Sequence, residues 1–136
     1  MLKKAQRKIH GTYQSLLIQG DAQRIPVQAA SFDVVILSLI LSVDPNAQAC
    51  WYESLRSLRP GGTAVIFDKF LPDDQNPTPF RQIFNLGVKL LGTDINRRLA
   101  DILAGTDYKI IINEPALFKG MYRIILIQTP LSKEDV

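Results

Sequence analysis

Two runs of apolar sequence, residues 32–41 (FDVVILSLIL) and 63–67 (TAVIF), set what this chain can fold into. A strand with one wet face alternates apolar and polar residues. A continuous run implies cover on both faces, the condition of a parallel sheet sandwiched by helices. Parallel neighbours need a crossover connection, and the residues between the runs supply one. Asp44 suits a helix N-cap and Pro45 the first helical position. Trp51, Leu55 and Leu58 follow at helical spacing, Arg59-Pro60 ends the helix, and Gly61-Gly62 turns the chain into the second run.

The flanking sequence extends this pattern on both sides. Residues 2–9 suit a helix with Leu2, Ala5 and Ile9 on one side, stopped by Gly11. Residues 15–19 (SLLIQ) read as a short strand ended by Gly20 and Asp21, and residues 22–31 as a loop punctuated by Pro26. Residues 71–79, with three prolines and two acids, form a further loop. Helices are expected at 80–91, with Ile83, Phe84, Val88 and Leu91 as the apolar side, and at 94–103, with Ile95, Leu99, Ile102 and Leu103 inward. Strands follow at 108–113 and 122–128. The connection between them, residues 114–121, is too short for a crossover helix, so these strands should be antiparallel neighbours. Residues 131–136 read as a frayed tail. The whole is an α/β fold with a mostly parallel sheet flanked by helices and a C-terminal antiparallel strand hairpin.

A length of 136 residues predicts one domain with a sizeable core. The formal charge of +3 is too weak to argue for nucleic acid. The one basic cluster, Lys3, Lys4, Arg7 and Lys8, has no aromatic platform beside it and reads as a solvated face. Cys50 is the only cysteine, which excludes an intrachain disulfide and a cysteine metal site and points to a reducing, cytoplasmic setting. The opening MLKKAQRKIHG has no apolar run of the secretory type. The apolar run 34–43 is interrupted by Ser38 and Ser42, and a membrane span needs ~20 apolar residues, so it is a core element.

The segments GDAQRIPVQAASFDVVILSLILSV and LRSLRPGGTAVIFD, in this order, resemble the class I, Rossmann-like, S-adenosylmethionine-dependent methyltransferases. In that family a third strand ends in an acid and a small residue, here Asp21-Ala22. Phe32-Asp33-Val34-Val35 opens the fourth strand, Leu-Arg-Pro-Gly-Gly opens the fifth, and a hairpin of the sixth and seventh strands closes the fold. The resemblance covers nearly the whole chain, as the C-terminal two-thirds of the family's fold. Met1-Leu2-Lys3-Lys4-Ala5 resembles its second helix. The implied object is a single partial, truncated domain over residues 1–136, without the first strands and the G-x-G-x-G cofactor loop. Gly61-Gly62 precedes a strand rather than joining a strand to a helix, so it is no substitute cradle.

What the resemblance implies for the site is specific. Asp21 accepts from the adenine amino group of S-adenosylmethionine and the Ala22 backbone lies against the ring. Ser38 and Leu39, near the carboxyl end of the fourth strand, face the methionine moiety and the substrate, where ligands of open α/β sheets sit. The plainer readings are that Asp21 is a turn residue and Ser38 a small buried residue bonded to backbone. Asp94, Asn96, Arg97 and Arg98 either shape an acceptor pocket or form an exposed helix face. His10 reads as a surface residue, Cys50 as a core or boundary residue, and Trp51 and Tyr52 as packing on the sheet. No catalytic side chain and no metal is expected, because transfer from a sulfonium is carried largely by positioning.

Two functions follow. One is an enzyme transferring a methyl group to a small-molecule or lipid acceptor. The other is a truncated, non-catalytic remnant or interaction module that does not bind cofactor alone. The family's strand order, 3-2-1-4-5-7-6, leaves one side of the fourth strand open here. That predicts a homodimer or a complementing chain at the exposed sheet edge, or a rearrangement that brings residues 15–19 beside the fourth strand.

Overall fold

The computed structural model describes residues 15–70 and 97–131. The helices expected at 2–9 and 80–91, the loop at 71–79 and the tail beyond 131 lie outside the described residues. Four strands are present: β1 (Phe32–Ser38), β2 (Leu58–Lys69), β3 (Lys109–Leu117) and β4 (Tyr122–Gln128). Helix α1 (Ala47–Ser57) joins β1 to β2, the short helix α2 (Leu99–Leu103) precedes β3, and a 3-10 turn (Phe118–Gly120) links β3 to β4.

The sheet order is β1-β2-β4-β3. β1 and β2 are parallel, as the crossover through α1 requires; β4 is antiparallel to both β2 and β3. This is the α/β arrangement expected, hairpin included, but the described sheet is mostly antiparallel by pairing rather than mostly parallel. β4 returns through a tight turn and inserts between β2 and β3, so those two strands, which run the same way, never touch. A further parallel pairing would have had to come from residues 15–19. Residues 15–20 form no strand, neither in sequence order nor beside β1, and Leu16 and Ile18 are exposed. A strand takes its backbone hydrogen bonds from neighbours, and apolar composition alone does not hold one.

The core lies on one face of the sheet. Leu37, Ala64, Ile66, Ile125 and Ile127 point into it and meet Ala47, Cys50 and Trp51 of α1 and Leu99, Ile102 and Leu103 of α2. Each fully buried aliphatic side chain contributes roughly 1.5–3 kcal/mol. Trp51 packs there as expected, fully buried, with Nε1 donating to Thr106 Oγ1 at 3.1 Å. Tyr52 does not: it is exposed, and its hydroxyl donates to the Ala104 carbonyl at 2.9 Å. That hydroxyl stands 2.8 Å from where a Cβ on Gly105 would be, and Gly105 has φ +77°, so this turn is restricted to glycine. The opposite face carries Val34, Ile36 and Ile124, all exposed.

Two local expectations are revised. Asn46, not Asp44, caps α1, its side chain accepting from Ala49 N at 3.1 Å. β2 begins directly at the helix end, and Gly61-Gly62 sits within it as an irregularity where the β1 pairing jumps from Phe32↔Leu58 to Val34↔Thr63. A Cβ on Gly62 would fall 2.8 Å from the Arg59 carbonyl, so the chain passes too close to itself for a side chain. Among the described residues no helix is long and apolar enough to cross a membrane.

Candidate functional site

β1, β2 and β3 point the same way, so their carboxyl ends gather on one edge of the sheet. At that edge β1 ends on the exposed Ser38, and Leu39 adopts φ +56°. A bulky residue rarely takes this conformation, at a cost of order 1–3 kcal/mol, and it persists where surrounding bonds impose it. Leu39 N donates to Phe67 O at 2.9 Å, adding one more rung beyond the strand. The chain then coils tightly, with Val43 N and Asp44 N both donating to Ile40 O.

This loop, residues 39–44, is gripped by groups far away in sequence. The carboxylate of Asp68, at the end of β2, is completely buried and accepts from Ser42 N at 3.0 Å and Lys69 N at 2.7 Å. Arg97 donates through Nη1 to the Leu41 carbonyl at 2.6 Å and also to the Asp44 carbonyl. Arg97 therefore braces the loop and does not sit on an exposed helix face; α2 starts after it, and Asp94 and Asn96 lie outside the described residues. The Ser42 hydroxyl, also buried, has no partner among the described residues.

Asp21 and Ala22 lie on a turn facing the same loop. Asp21 Oδ1 accepts from Gln23 N at 2.9 Å and the Asp21 carbonyl from Arg24 N at 3.0 Å, so Asp21 does build its own turn. Its side chain is nonetheless exposed, whereas Ala22 is half-buried and packs on the core. The turn is moored to α1: Ile25 N donates to Glu53 Oε1, and Arg56 Nη2 donates to the Ile25 and Val27 carbonyls. Glu53 and Arg56 also pair at 2.7 Å, and the Arg56 hydrogen bond holds the Glu53 carboxyl below its usual range. Across to the loop, Gln23 Nε2 donates to Asp44 Oδ1 at 2.9 Å. Asp21, Ala22, Ser38 and Leu39 are thus carried by two segments that touch through Gln23 and Asp44. Ser38 is not the buried residue of the plainer reading.

Sequence reasoning missed Asp68, Gln23 and the inward role of Asp44. Asp68 left a trace: an acid set directly against the buried run TAVIF must be satisfied locally. Gln23 left none. Among the described residues no cluster of three His, Cys, Asp or Glu side chains could hold a metal.

Cys50 lies buried beneath this region, and its thiol is pushed up to about 11 by burial and by the charges of Asp44 and Asp21. The folded state therefore keeps the proton longer than the unfolded chain, whose thiol titrates near 9.0. Below that pH the thiol contributes no pH dependence. Between about pH 9 and 11 stability should fall by up to ~1.4 kcal/mol per pH unit, a loss that Cys50→Ala removes. Urea midpoints across this range check it; equal alkaline slopes in both proteins would contradict it.

Comparison with known proteins fits this architecture. Residues 1–66 match the family model of a methyltransferase domain. No curated protein matches the chain. Among solved structures, the [4+2]-cyclase SpnF aligns at 14% identity and TM-score 0.65, over 83% of this chain and 56% of that one. An S-adenosylmethionine-dependent methyltransferase from Thermotoga maritima aligns at 14% identity and TM-score 0.59, over 84% and 64%. A chain from the complex of the Haloferax volcanii Trm112 methyltransferase activator aligns at 13% identity and TM-score 0.70, over 96% and 68%. The chain thus spans from just over half to about two-thirds of these structures. At such identities the likeness is one of fold. With the match over residues 1–66, the chain resembles the class I, Rossmann-like S-adenosylmethionine-dependent methyltransferases.

Proposed function

We propose that residues 1–136 form one partial methyltransferase domain that contributes the adenine side of an S-adenosylmethionine site and acts on a small-molecule or lipid acceptor. The observation that carries this reading is the exposed carboxylate of Asp21 beside the half-buried Ala22, tied to the Ser38–Leu39 strand end. The donor set fits the adenine end of the cofactor: a carboxylate accepts from an exocyclic amine, and a small residue lets a flat ring lie close. It does not extend to the methionine end, because the sequence holds no G-x-G-x-G. Groups outside this chain would then complete the site. The bound cofactor supplies an activated methyl group. The residues of this chain orient it, and Ser38 and Leu39 border the position where the acceptor approaches.

The second reading, a non-catalytic interaction module, is favoured by the outer side of β1. Among the described residues nothing pairs with it, and Val34 and Ile36 stand exposed. A second copy of the chain or a complementing chain would meet that edge. That the SpnF structure, a [4+2]-cyclase, shares the fold supports keeping fold and reaction apart.

Calorimetric titration with S-adenosylmethionine and its demethylated product separates the readings. Micromolar binding by the unmodified chain, weakened about 10- to 100-fold in Asp21→Ala by loss of a charged acceptor, supports the enzyme. Absence of binding leaves the interaction module.

A further inference from the structure

Resting on that reading of Asp21, Ala22, Ser38 and Leu39, we propose that Asp44 is a positioning residue. Its carboxylate locks the Asp21–Ala22 turn to the loop after β1, so the two halves of the site behave as one unit. Asp44 is more than nine-tenths buried. Its Oδ1 accepts twice: from Gln23 Nε2 at 2.9 Å, which belongs to the turn, and from Asn46 N at 2.8 Å, which belongs to the start of α1. Its carbonyl takes Arg97, and its own N–H closes on Ile40 O. A buried carboxylate is costly unless its acceptor capacity is filled, and here two of its partners come from different segments. Gln23 adjoins Ala22, and residues 40–44 continue directly from Leu39. The turn cannot shift without breaking the Gln23 bond, and the loop cannot shift without disturbing the Asp44 side chain. A site assembled from two loops gains its precision from such a second layer of hydrogen bonds.

The test is amide hydrogen exchange read residue by residue in the unmodified chain, Gln23→Ala, Asp44→Ala and Asp44→Asn. In Gln23→Ala, exchange should rise about 5-fold or more at Asn46 and Ser42, residues in the other segment. In Asp44→Ala it should rise likewise at Gln23 and Arg24. Amides of the buried strands β2 and β4 should keep their protection, which a general loss of stability would not allow. Asp44→Asn, which keeps an oxygen acceptor, should restore most of the coupling. Exchange that rises only in the substituted segment, or equally throughout, overturns the proposal. In a chain that binds the demethylated cofactor, Gln23→Ala should also weaken that binding about 5- to 10-fold, and unchanged affinity there overturns the role in the site. A chain that binds no cofactor removes the proposed function, while the exchange pattern still decides whether Asp44 couples the two segments.

Discussion

Replacing Trp51 with alanine is expected to cost about 3–5 kcal/mol of folding stability. The indole is fully buried between α1 and the sheet and is the largest of the fully buried side chains. Its Nε1 donates to Thr106 Oγ1 at 3.1 Å, and Thr106 in turn donates to the Leu103 carbonyl at 2.6 Å, so the same ring ties α1 to the end of α2. Truncation removes the packing and leaves a cavity that only the short α2 could relax into. Domains hold only about 5–15 kcal/mol in total, so this one change removes a large fraction of the stability. Trp51→Phe keeps most of the ring and loses the hydrogen bond, and should cost about 1–2 kcal/mol. Urea unfolding followed by far-ultraviolet circular dichroism measures both. A loss below ~1 kcal/mol for the alanine variant would show that α1 is held elsewhere. The consequence reaches the site, because Glu53 and Arg56 of α1 moor the turn that carries Asp21.

The central architecture was legible because burial on both faces leaves a mark in composition. Residues 32–41 and 63–67 are apolar enough to require cover, and they are the parallel pair β1 and β2 with α1 between them. The closing hairpin was legible from loop length, and Tyr122–Gln128 is bounded where the sequence places it. What failed was local. Apolar sequence continues to Leu41, yet β1 stops at Ser38, because Leu39 turns into a positive-φ conformation that composition does not disclose. Residues 15–19 have strand composition and no strand, because pairing depends on a neighbour. Asp44 and Asn46 are both good caps two residues apart, and the choice fell to Asn46 because Asp44 is drawn inward by Gln23. In the site, Asp21, Ala22, Ser38 and Leu39 came from the family resemblance; Ser38 and Leu39 do lie at the end of β1, whereas no strand precedes Asp21. The groups that hold them did not, since Asp68 meets Ser42 across 26 positions and Gln23 meets Asp44 across 21. Such contacts exist only once the sheet has formed.

Any self-association through the outer side of β1 is expected to weaken about 100-fold in Ile36→Lys, with the fold left intact. Ile36 lies at the centre of β1 and is 69% exposed, with Val34 beside it on the same face at 52%. On its inner side β1 is fully paired with β2 through residues 34–38. On its outer side, among the described residues, no strand adjoins it. Backbone donors and acceptors along an apolar edge are a template for a further strand, and natural edges are protected by charge, above all by lysine. The unmodified edge has only Asp33, whose carboxylate is engaged by Arg59 at 2.7 Å and so is a weak guard. A second copy pairing there would extend the sheet and cover Val34 and Ile36 together. A lysine at 36 would place an ammonium in that junction, weakening association by about 100-fold, or roughly 2.7 kcal/mol. Its effect on the isolated fold should stay within about 0.5 kcal/mol, because the side chain is already mostly in water. Sedimentation velocity over a concentration series reads the first quantity and thermal unfolding the second. Association that persists undiminished in Ile36→Lys would move the contact away from β1. A monomer at every concentration in the unmodified chain would exclude the second copy as occupant of the edge and leave a complementing chain as the partner to be sought.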